Sequence, residues 1–413
     1  MKTRLANKIK FASIVLCLAA FVPVGYAQLT IPYADGSDGA LNITSNTVID
    51  LSLAVTGVWT NTSGSPGKGI YDPTQWAVVF KYSSVNIASN TTVTFLNNPT
   101  HAPVVWLVND NVTINGELNL DGQPPQSGQG VNLDGAEPGP GGFRGGAASS
   151  AFPGNSSGFG PGGGGGNGLY SGYPYGTTNI IPLIGGSGGG GFADGLNRQW
   201  TGAGGGGAIL IAVAGSITVN GYCHADGGGV NGGESSGGSG GAIRIIANQV
   251  VGTGIIEAVG LQVNGVYGDP GRIRLEANTI ANGITINPST VGVPPANPPV
   301  IFPATNAPTV TIVSVAGLTA PTDPKAIMSP NTGGDDLTIA ATSAVNIILQ
   351  TQNFPTNGTV NVYIKPRNSA QSVLVAAFVS GNTNQATWQV STVLPYPTAN
   401  QGHTVIQARA VAP

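Results

Sequence analysis

The chain has 413 residues, of which 65 are glycine, 15 are basic and 18 acidic, for a formal net charge of −3. Glycine is about twice, and charge about a third, of the globular norm. The low charge excludes charge-driven disorder and the basic patches of a nucleic-acid binder. No strict Gly-X-Y period exists, which excludes collagen. With 40% hydrophobic residues there is material for a core, and the length fits two or three domains.

Residues 1–27 read as a secretory signal peptide. Lys2, Arg4, Lys8 and Lys10 form a basic start, Phe11 to Val22 an apolar stretch, and Gly25-Tyr26-Ala27 a small-residue cleavage site before Gln28. The stretch is shorter than the ~20 residues that span a bilayer. Leu16 before Cys17 lacks the small residue of a lipobox. No later run suits a membrane span, so the expected product is exported, extracellular or at the cell surface, with no transmembrane segment. It would carry 11 basic against 18 acidic residues and one cysteine, Cys223, so no internal disulfide is possible. An exported chain of this kind fits a bacterial source.

Self-comparison gives the strongest architectural signal. LNITSNTVIDL (41–51) matches VNIASNTTVTF (85–95), and APVVWLVNDNVTINGELNLDG (102–122) aligns without a gap to GAILIAVAGSITVNGYCHADG (207–227). Two echoes follow, GAIRIIAN (241–248) and GRIRLEAN (271–278). Within a unit the apolar residues alternate (Ile209, Ile211, Val213, then Ile217, Val219, then Cys223, Ala225), the period of strands with one buried face. Three short strands per unit, recurring every ~30 residues between Asn-Gly and Asp-Gly turns, predict a parallel β-helix over 28–290. Propeller blades are longer.

Residues 122–271 hold 49 of the 65 glycines, and about 122–206 interrupts the matched units. Three readings fit it: a flexible linker, loops leaving one corner, or ordered extended glycine strands packed closely. Phe143, Phe152, Phe159, Leu169, Tyr170, Tyr173, Tyr175, Phe192 and Trp200 within it favour packed loops. VGVPPANPPVIFPATNAP (291–308) reads as a Pro-rich, semi-rigid linker. Beyond it, runs at 310–315, 346–351, 359–364, 373–379, 387–390 and 404–410 predict an immunoglobulin-like β-sandwich over 309–413. The expected fold class is therefore all-β.

Motifs for chemistry are weak. Glycine-rich composition generates GxGxxG matches without the strand-turn-helix context a nucleotide site needs, SPGKG (65–69) lacks the P-loop pattern, and GGGGFADG (188–195) does not repeat as a calcium nonapeptide. The Asp-Gly pairs at Asp121, Asp134, Asp194 and Asp226 offer calcium oxygens, but Asp-Gly is foremost a turn dipeptide. Cys223 aligns with Leu118 and Ile256 and reads as a buried thiol; His224 points outward beside Glu257, at a solvent-exposed position. No catalytic residue, metal site or cofactor is expected. Arg244 and Arg274 share a register about 4.8 Å apart, with Arg272 and Glu276 on the same face. Such a stack needs an anion or a carboxylate between the charges. Arg244, Arg272 and Arg274 are therefore the candidate sites for an anionic glycan, and pairing with Glu276 and Glu257 is the simpler account. Trp59, Trp76, Tyr170, Tyr173 and Tyr175 are possible sugar platforms, with packing as the default.

VNIASNTTVTF, VVWLVNDNVTINGELNLDG, PGPGGFRGG, GGGGAILIAVAGSITVNG, GGSGGAIRIIAN and GRIRLEAN, in that order, resemble a group of exported glycine-rich β-helix proteins of environmental bacteria, over about residues 80–280. The segment opening PTVTIVSVAG resembles the β-sandwich tail of that group. The resemblance implies a secreted or surface protein and transfers no catalytic residues. The architecture is also similar to that of pectate lyases and polygalacturonases, but Gly-His-Gly is absent, Asp335-Asp336 lies in the sandwich region, and Arg272-Ile273-Arg274 is a faint echo of a basic motif. The expected function is a non-enzymatic, structural or adhesive surface component whose partners are extracellular polysaccharide, other surface components or further copies of itself. The alternative is a carbohydrate-binding or carbohydrate-active protein. LPYPT (394–398) lacks the glycine of a sortase signal, so any surface retention is expected to be noncovalent.

Overall fold

Short β-branched runs, too brief and too regularly alternating for helix, dictate the strands. The computed structural model describes residues 28–60, 67–151, 153–166, 172, 174–229, 234–263, 266–322, 336–367, 369–395 and 404–413. The expected signal peptide, Tyr170 and Tyr173 lie outside them. Among the described residues the fold is all-β, with no α-helix and no helix long and apolar enough to cross a membrane.

Three rows of parallel strands carry the repeats. The first row is Ala77–Tyr82, Val104–Val108, Ala208–Val213 and the leading parts of Ala242–Val251 and Arg272–Ile280. The second is Ala40–Ile43, Ser84–Ile87, Val112–Ile114, Ser216–Val219 and the trailing parts of those two long strands. The long strands join both rows into one eleven-stranded sheet. The third row is a six-stranded sheet of Thr47–Asp50, Thr92–Leu96, Glu117–Asn119, Tyr222–His224, Ile255–Glu257 and Thr285–Asn287. Leu118 pairs with Cys223 and Cys223 with Ile256, as the aligned repeats require. One shift appears: Leu41 pairs with Val85, but Thr47 pairs with Val93, two residues beyond the gapless alignment.

Residues pointing between the rows form one core, including Phe80, Trp106, Ile114, Leu118, Ile211, Val219, Cys223, Ile245 and Leu275. The expectation of a single buried face fails for the first row. Val79, Val105, Leu107, Leu210, Ala212 and Ile246, on its other face, pack under Leu29, Ile31, Trp59, Ile180, Leu183 and Ile301. A parallel sheet covered on both faces reads as a continuous apolar run, as in VVWLV and AILIAV. The Pro-rich stretch supplies part of that cover: Ile301 is buried and the Phe302 ring lies 5.1 Å from that of Trp59.

The described part of the glycine-rich stretch holds a four-stranded and a two-stranded antiparallel sheet, and its glycine runs between them are bonded in a pattern that is neither helix nor sheet. From 202 to 207 successive N–H groups donate to the carbonyls of Gly146, Ser236, Gln123, Phe143, Ser239 and Leu120. The partner segment thus repeats every third residue. A polyproline-II-like strand has three residues per turn and no internal hydrogen bonds, so its N–H groups address three neighbours in rotation. Segment 185–190 follows the rule for two of its three directions: Gly186 and Gly189 donate to Gly206 and Ala203, and Ser187 and Gly190 to the Ser239 and Ser236 hydroxyls, while Gly185 and Gly188 meet the carbonyls of Gly141 and Phe159 on separate segments. Glycine is demanded by proximity. A Cβ on Gly202 would sit 1.8 Å from the Gly189 carbonyl oxygen.

The C-terminal segment forms a five-stranded and a three-stranded antiparallel sheet sharing a core of Ile347, Leu349, Val360, Val362, Ile364 and Trp388. The predicted strand at 373–379 is two strands, Ser372–Val375 in one sheet and Ala377–Gly381 in the other. This module meets the glycine segments. Val405 packs on Phe143 and Phe159, Arg367 pairs with Asp134, and the wholly buried Lys365 donates to the carbonyls of Gly158 (2.6 Å) and Gly160 (2.7 Å).

Candidate functional site

The third row positions the main titratable cluster. Strand alternation turns Cys223 into the core, where burial pushes its thiol up to about 12, and turns Tyr222 and His224 outward. The 105-residue repeat then places Asp226 beside Asp121. Asp121 Oδ1 accepts the Asp226 backbone N–H at 2.6 Å, and Asp226 Oδ1 accepts that of Val259 at 2.7 Å. Each aspartate thus ties its corner to the next unit with one oxygen.

The His224 ring lies between these carboxylates. Its Nδ1 is 2.9 Å from both oxygens of Asp121, and its Nε2 is 2.8 Å from Glu117 Oε1. Tyr222 stacks on it at 4.2 Å between centroids. The expectation of a solvent-exposed histidine is therefore corrected: His224 does leave the core, but it is only 4% exposed because Tyr222 and two carboxylates enclose it. Burial alone would lower the imidazole pKa; the hydrogen bonds and charges of Asp121, Glu117 and Asp226 outweigh it and raise it. The Asp226 carboxyl is raised by burial and by the charge of Asp121. For Glu117 burial acts upward, but bonds from His224, Thr92 and Asn119 leave it lowered. His224 Nδ1 and one oxygen each of Asp121 and Asp226 lie within 4.8 Å of one another. They are the residues that could hold a metal ion.

The arginines occupy the outer side of the first row. Arg244 and Arg274 share a register, and both direct Nε to Glu276 Oε1, at 2.9 and 2.8 Å. Arg244 is 2% exposed and also donates to the carbonyls of Val300 and Ile301. Burial lowers its pKa against the pull of Glu276. Arg272 donates to the Tyr175 carbonyl. Glu276 thus supplies the carboxylate the stack requires. Glu257 does not join it; it accepts from Tyr222 and Asn287 in the third row.

Among the other expected positions, Trp59 is buried against Tyr33 and Phe302, and Trp76 donates to the Thr100 carbonyl. Tyr175 lies beneath Arg409. Asp194 closes a hairpin by accepting from Leu196 and Arg198. On that hairpin, Phe192 and Trp200 stack at 6.0 Å and 8°, with Arg198 5.4 Å over Trp200. The turn dipeptide Asp194-Gly195 between two aromatics was the available signal for this pair. Compared with known proteins, the chain matches no family model, no curated protein and no solved structure.

Proposed function

We propose that the chain is an exported, non-enzymatic structural and adhesive protein of the cell surface or extracellular space. In this reading the three strand rows are the faces of a parallel β-helix and the C-terminal sheets an immunoglobulin-like sandwich. The observation that carries it is the glycine network: segments far apart in sequence are joined in three directions by backbone hydrogen bonds, and the C-terminal module is anchored into them by Lys365. Such bonding suits a stiff scaffold. The half-buried Phe192–Trp200 pair beside Arg198 favours a carbohydrate as the adhesive partner, because an aromatic ring accepts the apolar face of a sugar and the guanidinium suits an acidic one.

The test uses residues 28–413 on a glycan array, with polygalacturonate and alginate incubated in parallel. The expected result is glycan binding with no unsaturated uronate and no new reducing ends. Trp200→Ala should weaken binding at least tenfold without moving the unfolding midpoint. Release of cleavage products would overturn the non-enzymatic reading.

A further inference from the structure

We infer that Asp121, His224 and Asp226 form a binding site for one divalent transition-metal ion, of which Zn2+ is the best match. The site lies at the corner where two repeat units meet on the third row. Two independent observations point to it. The first is the donor arrangement. Each aspartate accepts a backbone N–H of the following unit on Oδ1 and keeps Oδ2 on the His224 side. The separations from Nδ1 are 2.9 Å to Asp121 Oδ2 and 3.9 Å to Asp226 Oδ2. Ligand atoms around a tetrahedral ion with bonds of ~2.1 Å stand ~3.4 Å apart. Shifts of about half an ångström bring both of these separations to that spacing, and all three ligand atoms already lie within 4.8 Å of one another.

The second observation is Asp226 itself. Its side chain is 8% exposed, yet Oδ2 accepts no hydrogen bond among the described residues, and the His224 Nδ1 atom nearest it is out of bonding range at 3.9 Å. A carboxylate buried to this degree, with one oxygen that no protein donor meets, is stabilised by a cation beside it. Charge points the same way, since Glu117, Asp121, Asp226 and Glu257 gather around a single imidazole.

The chemistry of the donors selects the ion. One imidazole nitrogen with two carboxylate oxygens is a set that zinc accepts, whereas calcium takes six to eight oxygens. Glu117 accepts from Nε2, the outer-shell contact that fixes a metal-bound histidine with its other nitrogen toward the ion. Asp121, the most exposed of the three at 25% of its side chain, marks the side from which the ion enters.

The experiment is a Zn2+ titration of tag-free residues 28–413, stripped with a chelator and followed calorimetrically. Co2+ absorption reports the coordination geometry. One equivalent should bind with micromolar or tighter affinity, unaffected by millimolar Ca2+. Asp226→Asn and His224→Gln should each lower affinity at least tenfold, with circular dichroism unchanged. Asp226→Asn keeps the Val259 contact and so isolates the missing ligand from any folding defect. Cys223→Ala should leave the affinity unchanged. No binding at 100 µM Zn2+, on the order of 100 times a micromolar constant, overturns the site. So does one equivalent that both variants retain, which places the ion elsewhere.

Discussion

Gly202→Ala is expected to destabilise the protein by ~3 kcal/mol or more, the upper range for forcing atoms into a packed interior. The added methyl would lie 1.8 Å from the Gly189 oxygen and 2.5 Å from its carbonyl carbon. Both are main chain, so no rotamer change relieves the overlap. Relief requires separating two segments whose N–H groups are each bonded to several neighbouring segments, which breaks several hydrogen bonds together. Gly195→Ala is the matched control, because nothing lies within 4 Å of a Cβ there, and its effect should stay within about 0.5 kcal/mol. Denaturant unfolding of both variants measures the difference. Hydrogen exchange supplies a reading that does not depend on the variant folding: the amides of 202–207 should be protected as strongly as those of the first row. Equal stability of the two variants, or immediate exchange at 202–207, would show the glycines to be simple loops.

The second large effect concerns Lys365. Its amine is wholly buried, and burial pushes its pKa down from 10.5 to about 7. Above that value the folded protein holds a neutral amine, while the unfolded chain keeps its proton until about pH 10.4. The unfolded state then binds more protons, so stability rises with pH, by at most about 1.4 kcal/mol per unit, from near pH 7 to near pH 10. On lowering the pH the gain is lost progressively from about pH 10 to about pH 7, below which both states hold the proton and the slope vanishes. Lys365→Met removes this dependence. At pH 10 the substitution leaves the Gly158 and Gly160 oxygens without the amine, at a cost of about 1–3 kcal/mol each. At pH 6 the same loss is offset by relief from burying an ammonium, so the variant and the parent should differ little. Unfolding curves at pH 6, 8 and 10 for both proteins test this. A difference that does not change with pH would refute the assignment of a buried, titrating amine.

These two positions were not equally visible beforehand. Gly202 sits in a run whose composition admitted an ordered packing among three alternatives, yet nothing in the run indicates which carbonyl each N–H meets. Glycine has no side chain to impose a period, and the partners of 202–207 are 120–123, 143–146 and 236–239. Lys365 lies in a strand whose alternation predicts its neighbours correctly, but its burial depends on the carbonyls of residues more than 200 positions earlier. The same limit applies to the metal cluster. Repeat alignment made Asp121 and Asp226 equivalent and put His224 outside the core, but Tyr222 and Glu117 had to enclose that histidine before the three became a site. Arg244 and Arg274 illustrate the opposite case: their stacking followed from a shared register, and of the partners that register offered, Glu276 meets both arginines while Glu257 does not.

What the sequence determined by itself was the strand alternation and the pairing of repeats. Aligned apolar residues at offsets of 105, 34 and 30 recur as paired neighbours, because a parallel strand satisfies its inward face only when like positions stack. Tertiary structure alone decided what covers the outer face of the first row, how the glycine segments bond, and which acids converge on His224. Those outcomes rest on contacts between segments with no common period, and no local pattern encodes the distance between them.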